Sequence, residues 1–146
     1  MRFMIIRKAD AETESETSPV GKEHEQLLKD MMAYNQAMLD AGIMRGGQGL
    51  KPSSAGARIQ FRDGKPTVTD GPFTEAKELI AGFTLIEVKS KEEAIEWVRR
   101  WPASDGRGNV SLELRQLYEL EDFEGVAGPE LKELEKQMHA SPDVPR

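Results

Sequence analysis

The sequence predicts one two-layer α+β domain, with helices covering one face of a mixed β-sheet. Apolar residues recur at steps of two in some segments and at steps of three and four in others, so strands and helices alternate along the chain. The 146 residues, 38% of them hydrophobic and 32% charged, suit one domain with a modest core. We therefore predict a single layered domain.

The first predicted strand has apolar side chains on both of its faces. It covers residues 2–7, with Phe3 and Ile5 on one face and Met4 and Ile6 on the other. A strand at the edge of a sheet needs only one apolar face, so this pattern indicates a central strand.

An acidic segment and a long helix follow. Residues 9–19 contain no large apolar residue, which predicts a solvated loop. Residues 20–41 show the spacing of an amphipathic helix, and Gly42 can take the left-handed conformation that ends it. The predicted apolar stripe consists of Leu27, Leu28, Met31, Tyr34, Met38 and Leu39.

The middle of the chain predicts a β-hairpin. Residues 57–62 alternate, and we expect Ala57, Ile59 and Phe61 to face inward. Asp63-Gly64 is typical of a type I′ turn, which needs positive φ at both positions. The return strand, residues 65–69, contains a proline that favours a position near the sheet edge.

The second half predicts strand, helix and strand again. Residues 81–88 form a strand, and Ser90 with Glu93 forms a capping box that starts the next helix. Residues 110–115 alternate as the last strand, and Pro129 opens a C-terminal helix. The predicted helix faces are Ala94, Trp97, Val98 and Trp101 for the first helix and Leu131, Leu134 and Met138 for the second.

Composition excludes several classes of function. The net charge is −6, and no basic cluster is longer than Arg99-Arg100, so we expect no nucleic-acid binding. The chain has no cysteine, which excludes a disulfide framework and a thiolate nucleophile. The apolar run at the start is too short for a signal peptide or a membrane span, so we expect a cytoplasmic protein that does not bind membranes.

The segment from Val68 to Glu78 contains the motif Asp70-Gly71-Pro72-Phe73. With it, the chain resembles the YCII-related proteins, in the branch named for the Asp-Gly-Pro-Phe (DGPF) motif. The other segments that carry the resemblance are residues 2–6, 41–42, 48–54, 81–94 and 113–116. The resemblance covers residues 1–123, which we predict as one domain, and leaves residues 124–146 as a helical tail.

The resemblance implies a ferredoxin-like two-layer sandwich of the dimeric α/β-barrel group, here with an inserted hairpin and an appended C-terminal helix. It implies a homodimer, since the uncovered face of the sheet needs a second subunit. Relatives in the wider group include small monooxygenases, isomerases and dehalogenating or decarboxylating enzymes, beside members without known activity. We expect a small-molecule pocket and an unassigned enzymatic activity. The alternative is a non-catalytic interaction protein linked to sigma-factor signalling, since family members are often encoded beside such factors.

Two residues are candidates for catalysis. Asp70 is either a structural turn residue, whose carboxylate bonds its own following amides, or a general base at the mouth of a pocket. His24, early in the first helix, is either exposed or the partner of Asp70 in the acid–base dyad suspected in relatives. Both interpretations stay open from the sequence.

Other residues are candidates for ligand binding or have structural explanations. Arg58 and Arg62 lie on the polar face of the hairpin and either meet solvent or line a cleft for an anionic ligand. The remaining candidates for the pocket are Phe73, Glu75 and Lys77. Thr74 is predicted to cap a helix that Glu75 and Glu78 begin.

No cofactor or metal is expected. Two histidines, one of them in the tail, cannot form a histidine cluster that binds metal. Residues 46–54, rich in glycine and serine, predict a flexible connection. They lack the Lys-Ser/Thr of a phosphate-binding loop.

Overall fold

The computed structural model describes residues 1–16, 21–123, 125 and 128–140, with Lys22, Glu23 and His139 described by their backbone alone. The strands are β1 (Arg2–Lys8), β2 (Met44–Gly49), β3 (Ala57–Arg62), β4 (Lys65–Asp70), β5 (Ile80–Glu87) and β6 (Leu112–Gln116). The helices are α1 (Lys22–Asp40), α2 (Lys91–Arg99) and α3 (Pro129–Ala140), joined in places by short 3₁₀ turns.

Four strands form one sheet in the order β2-β5-β1-β6, and every pairing in it is antiparallel, so the predicted mixed sheet is wrong. The elements β1, α1, β2, β5, α2 and β6 follow one another as in a ferredoxin-like sandwich, which confirms the predicted fold. Among the described residues, strands β3 and β4 pair only with each other, and they are inserted between β2 and β5. We call this two-stranded hairpin the ribbon.

The core lies between the sheet and helices α1 and α2. Phe3 and Ile5 of β1 are buried against this layer, together with Met38 of α1. The hydroxyl of Tyr34 donates a 2.7 Å hydrogen bond to the carbonyl oxygen of Trp97, which ties α1 to α2. These contacts place both helices on one face of the sheet.

The opposite face of the sheet, which we call the open face, carries a smaller apolar patch. In the register of the central strands, Met4 lies opposite Leu85 and Ile6 lies opposite Phe83. All four side chains are half-buried. The two-sided pattern of β1 thus matches its central place in the sheet.

Three local predictions are confirmed by the backbone. Gly42 has φ +72° directly after α1, and Asp63 and Gly64 have φ 52° and 78° in the turn of the ribbon. The Ser90 hydroxyl oxygen accepts a 3.1 Å hydrogen bond from the backbone amide of Glu93 at the start of α2.

Two predictions about the middle of the chain are wrong. Residues 44–49, within and before the predicted flexible connection, form the edge strand β2. Their side chains give no alternating pattern because the strand is specified by backbone pairing with β5. The helix that Thr74 was expected to cap is only the turn Ala76–Glu78, which begins after Glu75 without a side-chain cap.

The apolar residues of the ribbon do not face inward as predicted. Ile59 is 53% exposed and Phe61 is 68% exposed. The ribbon forms no ladder with the main sheet, and every residue of β3 and β4, including Ala57, is exposed. In α1 the predicted stripe is also only partly buried, since Leu28 and Leu39 are each more than half exposed.

None of the helices in the described part of the chain is long and apolar enough to cross a membrane.

Candidate functional site

A cavity of about 450 Å³ lies between the first half of α1 and strands β1, β2 and β5. That volume lies within the range of small-molecule sites, about 300 to 1,000 Å³. Its principal polar lining residues are Arg7, Thr13, His24, Asn35, Thr84 and Asp105. Its apolar lining includes Leu27, Met31 and Met44.

Glycines on the floor of the sheet leave room for this cavity. Gly47 lies opposite Thr84 and Gly49 lies opposite Gly82 in the ladder between β2 and β5. A Cβ atom at Gly47 would lie 2.8 Å from the carbonyl oxygen of Phe83, closer than such atoms approach. Because these positions carry no side chains, the space under α1 stays unfilled.

A buried ion pair forms one wall of the cavity. The Arg7 guanidinium donates from Nε to Asp105 Oδ2 at 2.9 Å and from Nη2 to Asp105 Oδ1 at 2.8 Å. Both residues are only 7% exposed. Arg7 Nη1 also donates to Asp10 Oδ2, and the Trp101 indole donates to Asp105 Oδ2, each at 2.9 Å. The ion pair is therefore bidentate, and each partner has a further hydrogen bond, Arg7 with Asp10 and Asp105 with Trp101.

The protonation of this pair follows from its hydrogen bonds. Burial alone would raise the pKa of Asp105, but hydrogen bonds from Arg7 and Trp101 outweigh it and hold that pKa below its usual value. The hydrogen bond to Asp105 is the largest cause that raises the pKa of Arg7. Both groups therefore remain charged at neutral pH.

His24 lines the same cavity from the helix side. It is the third residue of α1, and its ring is half-buried. A ligand in the cavity would therefore meet an imidazole ring, whose nitrogens can donate or accept a hydrogen bond.

The structure brings only one of the sequence-predicted site residues to this cavity. Asp70 ends β4, is exposed and does not line the cavity. The predicted pairing of Asp70 with His24 stays a prediction. The remaining candidates, which likewise lie outside the lining of the cavity, are Arg58, Arg62, Phe73, Glu75 and Lys77.

Two backbone amides of the Asp-Gly-Pro-Phe motif donate hydrogen bonds to the segment at residues 53–56. Gly71 donates its amide to the carbonyl oxygen of Gly56 at 3.0 Å, and Phe73 donates its amide to Ser53 Oγ at 3.0 Å. A Cβ atom at Gly71 would lie 1.8 Å from the carbonyl oxygen of Ser53. The Ser53 hydroxyl donates in turn to Glu14 at 2.5 Å. These contacts give the motif a structural role through the backbone of Gly71 and Phe73, and both interpretations of the Asp70 carboxylate stay predictions.

Phe73 has a further role at the base of the ribbon. The Arg58 guanidinium lies over its ring, 4.2 Å from the centroid, in a cation–π contact. This contact holds Arg58, a ribbon residue predicted to bind a ligand, against the motif.

Sequence reasoning missed the Arg7–Asp105 pair and its support from Trp101. The two partners are 98 residues apart, so no local motif joins them. One signal was present: Arg7 follows Phe3 and Ile5 at the step of two that marks the inward face of β1. A cation at an inward position needs a carboxylate partner inside the fold.

A larger cavity, about 550 Å³, lies at the other end of the sheet and is bordered by α3. Arg2 pairs there with Glu119 at 3.1 Å, and Arg45 pairs with Glu87 at 2.9 Å. These charges neutralise one another on a surface that is partly exposed, so this cavity is the weaker candidate for a ligand site. No group of acidic residues or histidines in the described part of the chain could hold a metal ion.

Fold and cavity together define a ferredoxin-like α+β protein with a small-molecule-sized cavity between its first helix and its sheet. The model of the YCII-related domain matches residues 1–112, and the chain belongs to that family. The "Uncharacterized protein R00369" of Rhizobium meliloti (strain 1021) is 37% identical over 87 residues, which cover 59% of this chain and 70% of that protein.

One similar solved structure is the 5-chloro-2-hydroxyhydroquinone dehydrochlorinase (TftG) from Burkholderia phenoliruptrix AC1100, in complex with 2,5-dihydroxybenzoquinone. It is 16% identical to this chain, with a TM-score of 0.44, and the match covers 84% of this chain and 98% of that one.

Proposed function

We propose that this YCII-related protein binds a small polar molecule in the cavity beneath α1 and acts on it by proton transfer through His24. One observation carries the proposal: the cavity is lined by a half-buried histidine from the helix and by a buried, hydrogen-bonded arginine from the sheet. A histidine beside polar partners in a partly apolar cavity is an arrangement that acid–base catalysis commonly uses.

The charge of the cavity limits the class of ligand. Arg7 is already paired with Asp105 and Asp10, so it adds little net positive charge. A ligand with several negative charges, such as a phosphate ester, would therefore find no excess of cations. A neutral or weakly acidic molecule with hydrogen-bonding groups fits better, because Thr84, Asn35 and His24 offer such partners beside apolar side chains.

The homodimer and the cytoplasmic location are parts of the same proposal. The half-buried apolar residues of the open face are best covered by the open face of a second copy, because identical faces are self-complementary about a two-fold axis. The composition without cysteine suits a reducing compartment.

We expect His24→Gln to abolish proton transfer while it keeps the fold, because glutamine can hydrogen-bond but does not titrate near neutral pH. A library of fragments with fewer than about 15 non-hydrogen atoms would be screened by chemical-shift perturbation, and hits would be assayed for turnover. Removal of a general acid–base lowers turnover about 10²- to 10⁴-fold.

Asp70→Asn is the matched variant in that assay. If the cavity acts without the motif, Asp70→Asn retains turnover while His24→Gln loses it. Equal losses in both variants would support the His24–Asp70 dyad instead. The proposal would be contradicted if every fragment that binds changed the chemical shifts only of residues outside the cavity.

A second candidate function is the non-catalytic interaction protein, linked to sigma-factor signalling. The observation that favours it is the set of exposed apolar side chains on the ribbon and on α3. This interaction function becomes the better proposal if the apolar side chains of the ribbon and α3 stay exposed in the homodimer.

A further inference from the structure

Thr84 is a buried residue whose hydroxyl has no hydrogen-bond partner in the described part of the chain. It lies on the side of β5 that faces the helices and is only 7% exposed. Every fully enclosed polar side-chain atom of the described residues has a partner, so the Thr84 oxygen is not enclosed. Since Thr84 lines the cavity beneath α1, its hydroxyl opens into that cavity. A polar group in such a place needs a partner, which a bound molecule can supply.

The Thr84 hydroxyl stands at the edge of a surface without side chains. In the ladder between β2 and β5, Thr84 lies opposite Gly47, and in the next pair on the same face Gly82 lies opposite Gly49. We call these three glycines the floor of the cavity. The Thr84 hydroxyl oxygen lies 3.3 Å from the place that a Cβ atom of Gly47 would take. The hydroxyl is therefore directed over the floor.

Gly49 is the member of the floor that the fold does not require to be glycine. A Cβ atom at Gly47 or at Gly82 would lie 2.8 or 2.9 Å from a carbonyl oxygen of the neighbouring strand. At Gly49, whose φ lies outside the left-handed region, a Cβ atom would meet no described atom within 4 Å. Glycine weakens a strand, and there it often marks the place where a ligand approaches the backbone. We therefore take the free space at Gly49 as room for a ligand.

The shape of the cavity selects a class of ligand. Leu27 and Met31, one turn apart on α1, line the cavity on the side opposite the floor. A flat molecule makes contact with apolar side chains on one of its faces and with the bare strands on the other. The lone pairs of a carbonyl oxygen lie in the plane of its group. A carbonyl of a molecule lying flat on the floor therefore points sideways, toward a hydroxyl at the edge.

We propose that the floor seats a flat, uncharged molecule whose carbonyl oxygen accepts a hydrogen bond from the Thr84 hydroxyl. The inference rests on the function proposed above and adds the class of ligand and a residue that selects it. The guanidinium of Arg7 bonds Asp105 and Asp10, whereas the Thr84 hydroxyl is committed to no group in the described chain. Thr84 is thus a specificity-determining residue of the cavity.

Two amides that share the carboxamide group and differ in the shape of the ring test the class of ligand. Benzamide has a flat ring, and cyclohexanecarboxamide has a puckered one. Each would be titrated into isotope-labelled protein, and the chemical shifts of the residues that line the cavity would be followed. We expect benzamide to bind there about ten times more tightly, because the thicker ring overfills the space above the floor. Equal affinities, or no binding of benzamide in the cavity, would overturn the proposal.

Thr84→Val and Thr84→Ser test the hydrogen bond itself. Valine keeps the shape of the side chain without the hydroxyl, so benzamide should bind about 5- to 10-fold more weakly, the value of one hydrogen bond. Serine keeps the hydroxyl and should keep the affinity within about twofold. The melting temperature of Thr84→Val should not fall, because the hydroxyl bonds nothing in the described chain. Equal weakening by both variants, or a lower melting temperature in Thr84→Val, would overturn the role of the hydroxyl.

Gly49→Ala places a methyl group on the floor, and we expect it to weaken benzamide binding about fivefold or more without lowering the melting temperature. Gly56→Ala is the matched control, because its methyl group would make an ordinary contact at 3.6 Å and lies outside the lining of the cavity. Equal affinities in the two variants would overturn the seat on the floor. If benzamide fails but other fragments shift the cavity residues, only this inference falls. If no fragment shifts them, the proposed function falls as well.

Discussion

Asp105→Ala is expected to cost about 3 to 5 kcal/mol of unfolding free energy, the loss observed when one partner of a buried ion pair is removed. The variant would leave the Arg7 guanidinium buried with only Asp10 as its charged partner. The Trp101 indole would lose its acceptor as well. Because whole domains are stable by only about 5 to 15 kcal/mol, urea denaturation would show a large shift in the midpoint.

Glu87→Ala is the control for that experiment. It breaks the ion pair between Arg45 and Glu87, whose side chains are 37% and 47% exposed. An exposed pair is worth about 0 to 1 kcal/mol, so the midpoint should barely move. If Asp105→Ala and Glu87→Ala lowered the free energy of unfolding equally, burial would not be what makes the Arg7–Asp105 pair important for stability.

The Arg7–Asp105 pair also predicts how the free energy of unfolding depends on pH. The pKa of Asp105 lies below its usual value in the folded state, so its stabilising contribution is complete above the pKa of an unfolded aspartate, about 3.9. That contribution is lost as the pH falls through the lower folded value. The difference in stability between wild type and Asp105→Ala should therefore stay constant from about pH 7 to 5 and shrink below about pH 4.

The sequence predicted those parts of the fold in which side-chain pattern and local structure agree. Strand β1, helix α2 with its Ser90 cap, and the turn at Asp63-Gly64 each carry a local signal, and the structure confirms them. Strand β2 was not predictable in this way. Glycines at positions 46, 47 and 49 suppress the alternation that marks a strand, and the requirement for glycine appears only once β5 lies alongside.

The candidate site was less predictable than the fold. His24 was identified from its residue type, but its place in a cavity depends on how α1 crosses the sheet. Arg7 and Asp105 meet only through the fold, across a long stretch of sequence. The Asp-Gly-Pro-Phe motif is recognisable in the sequence and contains a carboxylate, so it made Asp70 a candidate. The contacts that the motif makes in the fold instead involve the backbone of Gly71 and Phe73.

Gly71→Ala is expected to destabilise the base of the ribbon by roughly 3 kcal/mol, at the upper end of typical overpacking penalties. The added methyl group would lie 1.8 Å from the carbonyl oxygen of Ser53, and both groups belong to the backbone framework, so neither can turn aside. To relieve the overlap, the motif must move away from the turn. The amide of Phe73 then loses its bond to Ser53 Oγ.

Gly56→Ala provides a matched control, because its methyl group would face the same carbonyl oxygen of Ser53 at 3.6 Å, an ordinary contact. Hydrogen exchange of the ribbon amides would rise strongly in Gly71→Ala and change little in Gly56→Ala, since local opening of the ribbon is the cheapest relief of the overlap. If both variants exchanged alike, the close approach of Gly71 to Ser53 would not be what fixes the ribbon. If Gly71→Ala alone loosened it, the motif would be explained by a backbone contact that no residue larger than glycine permits.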